Sequence, residues 1–330
     1  MRLTRRRALG ALGAAAAIPL LSACGEEHSG PASVTVMLDW VPNTNHTGLY
    51  VAQAKGYFAE EELEVTIVEP GTAGVEAAVG SGAASFGVSY QEAVTLARVE
   101  DVPVVSIAAV IQHNSSGFAS PADRRIRRPR DFEGKRYGAF GSDVERQVLT
   151  SLMECDGGDV NAIEFVDIGF TDPFVAWERG DVDFVWIFEG WTGIEAQLRG
   201  VELNFVRMVD LDCVPDYYTP VYVTGEQLIA DRPDVVQRWT RAVKRGYEYA
   251  IKYPEDAAEI LIASAEGINA DLVRLSQPWL SPRYAEGADR WGDQSQAVWD
   301  AYSRWMVDRG LQSRVINTED AMDNSFIRSS

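Results

Sequence analysis

A run near residue 40 combines one indole, two amides and an imidazole within seven positions. It extends from Leu38 to His46 between an apolar segment that predicts a strand and a periodic segment that predicts a helix. Trp40 offers a flat apolar face, and Asn43, Asn45 and His46 offer donors and acceptors at its edge. A small heteroaromatic ligand needs this combination. The run therefore predicts a binding site for such a ligand at a strand–helix junction.

Further candidates lie in predicted loops and strand ends elsewhere in the chain. They offer additional ring faces and hydrogen-bonding edges: Tyr90, Gln91, Asn114, Glu189, Trp191, Asp216, Tyr217 and Tyr218. Glu189 directly follows an apolar strand, where a carboxylate without partners would be costly, so we expect a ligand or backbone amides to meet it. Glu189 and Asp216 could accept from an exocyclic amine. Tyr217 and Tyr218 are adjacent and face opposite ways on an extended chain, so we expect one of them to contact the ligand. The inventory suits an aminopyrimidine.

Each candidate also has a purely structural interpretation. Trp40 could pack beneath the following helix, and Asn43 and Asn45 could be turn formers or a helix cap. An indole in a polar turn favours the ligand interpretation. No catalytic constellation is recognisable, because the chain has three histidines, no phosphate-cradling glycine loop and no Gly-x-Ser-x-Gly elbow. We therefore expect no enzyme activity, no metal and no cofactor.

The run at residues 38–58 resembles the family that contains ThiY-like substrate-binding lipoproteins for thiamine pyrimidine precursors and the iron-dependent pyrimidine synthases of thiamine biosynthesis, an SsuA-like group. Other segments that look similar to this family span nearly the whole mature chain: 86–92, 111–121, 136–145, 188–197 and 210–225. The resemblance implies a type II periplasmic binding protein, with two α/β lobes, two crossings and a ligand cleft between the lobes. It places residues 34–117 and 224–330 in lobe one and residues 118–223 in lobe two. It also implies an ABC-type importer, with its permease and ATPase, as the partner.

His46 distinguishes the branches of this family. In the synthases the histidine of this loop is reactive and works beside pyridoxal phosphate and iron, with a cysteine-rich run near the strand at 205–209. This chain has Val-Pro-Asp-Tyr-Tyr-Thr-Pro at 214–220 and only Cys213 beside it. The resemblance therefore implies a binding protein, with formylaminopyrimidine as the expected ligand and His46 as a hydrogen-bonding or helix-start residue. A riboflavin receptor and a synthase-like enzyme remain the alternatives.

The candidate residues lie within a sequence in which short apolar runs alternate regularly with helical patterns. The predicted strands are 34–38, 65–68, 86–89, 104–110, 136–139, 163–168, 183–188 and 221–223. This rhythm predicts an α/β fold with largely parallel sheets. Beyond residue 226 the pattern predicts helices alone, near 231–252, 255–265, 270–276 and 293–309, whose aromatic stripes are expected in the core.

Three strand–helix junctions share the pattern of a capping box. Residues 89–92, 142–145 and 192–195 each have a serine or threonine followed three positions later by glutamate. A helix that begins there points its N-terminus at the carboxyl edge of the sheet, where open α/β folds bind ligands. The pattern predicts three capped helix starts at that edge.

The N-terminal segment predicts export and lipid anchoring. Three arginines precede an apolar run at 8–21, and Leu-Ser-Ala-Cys closes it, which is typical of a lipoprotein leader over residues 1–23 with lipidation at Cys24. Sec and twin-arginine export both fit the basic region. Residues 24–33 then read as a polar tether. We expect an extracytoplasmic protein that reaches the cell membrane through its lipid anchor only.

The charge composition of the chain limits the classes of binding partner that we expect. The net charge of −19 becomes −23 once residues 1–23 are removed, because they hold four arginines and no acid. Such a surface repels phosphate backbones and anionic lipids, which argues against nucleic acid and direct membrane docking. Cys155 and Cys213 could form a disulfide or stay as two buried thiols. About 300 mature residues suit two lobes, and a monomer is expected.

Overall fold

The computed structural model describes residues 30–71, 74–169 and 171–330. The predicted leader and Cys24 lie outside these residues. Within the described ranges, none of the helices combines the length and apolarity that a membrane span would require.

The first lobe is built on a five-stranded sheet with the order β2-β1-β3-β10-β4. Its strands are β1 (Ala32–Met37), β2 (Leu63–Val68), β3 (Phe86–Ser89), β4 (Val104–Ala109) and β10 (Val221–Gly225). β1 pairs in parallel with β2 and β3, whereas β10 runs antiparallel to β3 and β4. Every residue of β3 and β4 is buried, in keeping with strands covered by helices on both faces.

The second lobe repeats this plan with the order β7-β6-β8-β5-β9. Its strands are β5 (Ser116–Pro121), β6 (Arg136–Ala139), β7 (Glu164–Asp167), β8 (Phe184–Phe188) and β9 (Leu203–Arg207). β6 is parallel to β7 and β8, and β5 is antiparallel to β8 and β9. The predicted α/β fold with two lobes is confirmed. β5 was not predicted, because Ser-Gly-Phe-Ala-Ser-Pro lacks both apolar alternation and β-branched residues.

The chain crosses between the sheets twice, after β4 and after β9. Residues 116–117 pair in the second sheet and residues 221–223 in the first. The predicted lobe boundaries, at 117/118 and 223/224, are therefore displaced from the strand pairing by two and three residues respectively.

Fourteen α-helices occur among the described residues. They are α1 (Thr47–Ala54), α2 (Tyr57–Glu60), α3 (Val75–Gly80), α4 (Gln91–Val99), α5 (Asp143–Cys155), α6 (Pro173–Arg179), α7 (Ile194–Leu198), α8 (Glu226–Asp231), α9 (Pro233–Lys252), α10 (Pro254–Ser264), α11 (Ala270–Leu280), α12 (Gln296–Asp308), α13 (Thr318–Ala321) and α14 (Ser325–Arg328). The four helical stretches predicted beyond residue 226 are confirmed, with α8 ending before Pro233 begins α9.

The predicted aromatic stripes lie in the core. Trp239 and Tyr247 of α9 are fully buried in the first lobe. Tyr302 and Trp305 of α12 instead pack in the core of the second lobe, so the helical tail assigned to lobe one serves both lobes. α12 therefore links the two lobes in addition to the two crossing segments.

A close crossing of α1 and α9 fixes the helix that follows the candidate loop. A Cβ atom on Gly246 of α9 would lie 1.9 Å from the carbonyl oxygen of Gly48 in α1, so the two backbones are in direct contact there. Only glycine allows this approach. The start of α1 is consequently held against the longest helix of the first lobe.

Cys155 and Cys213 form a disulfide, with 5.9 Å between their Cα atoms. The bond resolves the alternative left open by the sequence. It joins the last residue of α5 to the segment that leads into the second crossing, three residues before Asp216. The disulfide therefore anchors one end of that crossing to the second lobe.

Only one of the three predicted capping boxes forms. Ser142 accepts from the amide of Val144, and Glu145 accepts from the amide of Ser142 at 2.9 Å, as the pattern predicts. The other two predictions are wrong. Ser89 donates its hydroxyl to Glu76 instead, and a π-helical turn at Glu189–Gly193 precedes α7 where Thr192 was expected to cap. A long-range carboxylate partner and an extra helical turn displaced the local pattern.

Candidate ligand-binding site

The loop after β1 is ordered by its own side chains. Asn43 is buried and its Oδ1 accepts from the amide of Asn45 at 2.9 Å, which caps a short 3₁₀ turn at Thr44–His46. The amide of Asn43 donates to Nδ1 of His46 at 3.2 Å. The structural interpretation therefore describes Asn43 well, while Asn45 stays partly exposed.

Asp39 stabilises this loop through hydrogen bonds with His46 and Tyr90. Its Oδ1 lies 2.6 Å from Nε2 of His46, and its Oδ2 accepts from the hydroxyl of Tyr90 at 2.6 Å. Since Nδ1 of His46 already accepts an amide proton, the neutral ring carries its own proton on Nε2 and donates it to Asp39. Burial would raise the pKa of Asp39, but the hydrogen bonds from His46 and Tyr90 hold that pKa below its usual value. The prediction missed Asp39, although it too is a carboxylate directly after an apolar strand.

The helical tail fixes the same loop from the other side. The hydroxyl of Tyr247 donates to the carbonyl of Asn45 at 2.6 Å, and that of Tyr284 donates to the carbonyl of Thr44 at 2.5 Å. Thr47 also bonds Gln277 of α11 at 2.5 Å. The loop is thus preorganised by partners more than 200 positions away in the chain, a property that reduces the entropy lost on binding.

Trp40 projects from this fixed loop into solvent. Its side chain is 47 % exposed, and it is the only one of the nine tryptophans in the chain that is exposed to this degree. Val41 beside it is 43 % exposed. Trp40 does not pack beneath its helix, and its exposed side chain follows β1 at the carboxyl edge of the first sheet.

The second lobe presents Glu189 and Trp191 at the end of β8. Glu189 is bound by the fork of Arg207, with Nε donating at 2.6 Å to Oε2 and Nη2 donating to Oε1. An arginine thus meets the carboxylate, in place of the ligand or backbone amides expected from the sequence. Trp191 is partly buried and packs against a first-lobe cluster that includes Tyr50 and Leu261. Phe188 leaves 36 % of its surface exposed beside them.

A relay of hydroxyl groups joins the two lobes at this point. Ser276 of α11 donates to the carbonyl of Gly190 at 2.5 Å. Its oxygen lies 2.6 Å from the hydroxyl of Thr44, so Thr44 is the donor of that pair. A side chain on Gly190 would approach the ring of Trp279 to 2.6 Å. The turn that carries Glu189 and Trp191 is therefore docked on the first lobe and linked through Ser276 to Thr44 in the loop that carries Trp40.

The remaining carboxylate candidate, Asp216, ties the two crossings together. Its Oδ1 accepts from the amides of Asn114 and Tyr217, each at 2.9 Å, and its Oδ2 lies 2.6 Å from Nδ1 of His113. The Oδ1 of Asn114 accepts from the amide and hydroxyl of Ser116. The oxygens of Asp216 and Asn114 are thus used within the crossing segments.

The remaining candidates are enclosed. The Oε1 of Gln91 accepts from the amide of Tyr218 at 2.9 Å, and the hydroxyl of Tyr218 accepts from the amide of Ser295 at 2.8 Å. Tyr217 packs on Tyr302 in the second lobe, while Tyr218 lies in the core of the first. The two tyrosines face opposite ways, as predicted, but both are buried.

Glu92, in the first turn of α4, lies where the lobes meet. Its Oε2 is enclosed and has no hydrogen-bond partner among the described residues. Burial, with a smaller contribution from Glu76, raises the pKa of Glu92 to about 7 against the lowering effect of its own backbone amide and of Tyr217. Together with Asp39 and Glu76, Glu92 makes the first-lobe side of the site rich in carboxyl groups. No cluster of metal-ligating side chains occurs in the described parts of the chain.

We expect Glu92→Gln to remove a pH dependence from the stability of the protein. The folded-state pKa of about 7 exceeds the ordinary value of 4.5, so the stability contributed by this group is present below about pH 4.5 and is lost as the pH rises through about 7. The difference corresponds to roughly 3 kcal/mol. Urea unfolding at about pH 5 and about pH 8 should show the variant gaining stability relative to the wild type at the higher pH.

The exposed Glu319 provides a control, because Glu319→Gln should follow the wild type at both pH values. An unchanged pH dependence in Glu92→Gln would contradict the enclosure of its carboxyl group.

Known proteins are similar to this chain over most of its length. The family model described as "NMT1/THI5 like" matches residues 43–257. The formylaminopyrimidine-binding protein of Halalkalibacterium halodurans is 30 % identical over 88 % of this chain and 90 % of its own. The 4-amino-5-hydroxymethyl-2-methylpyrimidine phosphate synthase of Legionella pneumophila is 28 % identical over 69 % of this chain and 72 % of its own.

The fold is also that of a solved binding protein. The alkanesulfonate-binding protein SsuA of Xanthomonas axonopodis superposes with a TM-score of 0.67 at 14 % identity, covering 89 % of this chain and 99 % of its own. At this identity the likeness concerns the fold. The expected periplasmic binding protein architecture is confirmed.

Proposed function

The chain belongs to the NMT1/THI5-like family, and we propose that within it the protein is an extracytoplasmic solute-binding lipoprotein that delivers a thiamine pyrimidine precursor to an ABC importer. Formylaminopyrimidine is the proposed ligand, and the importer's permease and ATPase are the proposed partners. Lipidation at Cys24 would anchor the protein to the membrane, and the protein would act as a monomer.

The observation that carries this proposal is the exposed indole of Trp40 on a loop that is otherwise fixed. A preorganised flat apolar face beside hydrogen-bonding groups suits a small aromatic ring. The similarity to a formylaminopyrimidine-binding protein over most of both chains supports a pyrimidine as that ring.

The surroundings of His46 favour binding over synthesis. Both ring nitrogens are engaged, Nδ1 with the amide of Asn43 and Nε2 with Asp39, and the side chain is fully buried. A histidine that supplied atoms to a product would need access to the substrate. Cys213, the residue nearest the expected cysteine-rich run, is consumed in the disulfide. These contacts support a receptor over a synthase-like enzyme.

We expect Trp40→Ala to weaken binding of formylaminopyrimidine by about 10- to 100-fold, because stacking of a base on an aromatic side chain contributes about 1–3 kcal/mol. Isothermal titration calorimetry measures this change. Tyr253→Ala is the matched control, since Tyr253 is also an exposed aromatic residue, at 44 %, but stands at the junction of α9 and α10. Equal affinity of Trp40→Ala and wild type would remove Trp40 from the site.

A further inference from the structure

Glu189 and Arg207 form an ion pair on the second-lobe side of the site. Glu189 follows β8 and Arg207 ends β9, and these strands flank β5 in the same sheet. Two parallel N–H···O bonds join the side chains, with Nε of Arg207 at 2.6 Å from Oε2 of Glu189. This fork geometry is the strongest arrangement available to an arginine and a carboxylate. The pair as a whole carries no net charge.

The pair is accessible to a ligand. The side chain of Arg207 is 45 % exposed and that of Glu189 is 21 % exposed. Trp191, two positions after Glu189 in the same turn, packs against the first lobe. Nη1 of Arg207 lies 3.9 Å from Oδ2 of Asp210, so a second carboxylate also faces the guanidinium. Arg207 is therefore compensated from two sides.

An uncompensated arginine at this place would be an anion site. A guanidinium fork matches a phosphate group as well as it matches a carboxylate. A phosphate monoester carries a charge of about −1.5 to −2 at neutral pH. Relatives of this chain include synthases that are named for a pyrimidine phosphate. A binding protein of this family can therefore differ from its relatives in whether it accepts a pyrimidine or the phosphate ester of that pyrimidine.

We propose that the Glu189–Arg207 pair is a specificity determinant that admits an uncharged or cationic aminopyrimidine and rejects its phosphate monoester. The inference rests on the proposed function and specifies the ligand class of that site. Glu189 occupies the fork that a phosphate would need, and Asp210 beside the pair adds a net negative charge that repels the ester.

The test compares hydroxymethylpyrimidine with hydroxymethylpyrimidine phosphate by calorimetry on the wild type and on Glu189→Gln. We expect the wild type to prefer the unphosphorylated pyrimidine by at least about 100-fold, since placing like charges together at a binding site costs several kcal/mol. Glu189→Gln frees the fork of Arg207 and should reduce this preference at least about 10-fold, through tighter binding of the phosphate. Arg207→Gln leaves Glu189 unopposed, so the preference should persist or grow.

Glu259→Gln is the matched control, because Glu259 accepts from Nε and Nη2 of Arg274 in the same fork at 2.7 and 3.1 Å, outside the site. Its preference should equal that of the wild type. Equal affinity of the wild type for the two compounds, or an unchanged preference in Glu189→Gln, would overturn the inference while leaving the pyrimidine receptor in place. Failure of the wild type to bind any pyrimidine would overturn the proposed function together with this inference.

Discussion

Replacement of Asp39 by alanine is expected to lower the free energy of unfolding by about 3 kcal/mol and to weaken ligand binding at least about 10-fold. The carboxylate accepts from Nε2 of His46 and from the hydroxyl of Tyr90, both at 2.6 Å. His46 is fully buried, so its N–H would be left without an acceptor. The loop that carries Trp40 would lose the hydrogen bond between Asp39 and His46. Urea unfolding measures the first effect and calorimetry the second.

Glu60→Ala is the comparison variant for Asp39→Ala. Glu60 also accepts from a basic side chain, Arg245, at 2.7 Å, but both side chains are well exposed, so its loss should have little effect on stability or binding. Wild-type stability and affinity in Asp39→Ala would show that the buried network does not support the loop.

Removal of the disulfide by the double substitution Cys155→Ser and Cys213→Ser should lower the free energy of unfolding by about 4 kcal/mol. The bond closes a loop of 58 residues, and the unfolded chain gains the conformational entropy of that loop when the bond is absent. Chemical denaturation of the wild type and the double variant measures the difference.

The bond also holds the segment that leads to Asp216, whose carboxylate joins the two crossings. A reductant should destabilise the wild type and leave the double variant unchanged, which provides the internal control. A difference below about 1 kcal/mol, far from the loop-entropy value, would contradict this role.

The sequence predicted the elements of the fold better than the roles of individual side chains. Predominantly apolar strands such as β4 can be recognised in the sequence, because both of their faces are covered. β5 was missed because its identity depends on β8 and β9, which are distant in the sequence. Ser89 has the local pattern of a cap, yet its hydroxyl is taken by Glu76. Both wrong predictions, for β5 and for Ser89, failed because the structure there depends on contacts with residues that are distant in the sequence.

The same limit applies to the candidate site. Residue types predicted a ligand site, but they could not indicate which candidates have their hydrogen-bonding groups occupied within the fold. Gln91, Asn114 and Asp216 have their oxygens engaged by backbone amides of the crossing segments. Arg207 could not be recognised as the partner of Glu189 from a separation of 18 positions. Only the folded chain brings such groups together.

The most direct test of the central claim is a calorimetric titration of the soluble protein from residue 25 onward with formylaminopyrimidine, hydroxymethylpyrimidine, thiamine and riboflavin in parallel. The account predicts a dissociation constant below about 1 μM for a pyrimidine, with riboflavin silent. Tight binding of riboflavin with every pyrimidine silent would preserve the fold and contradict the proposed ligand.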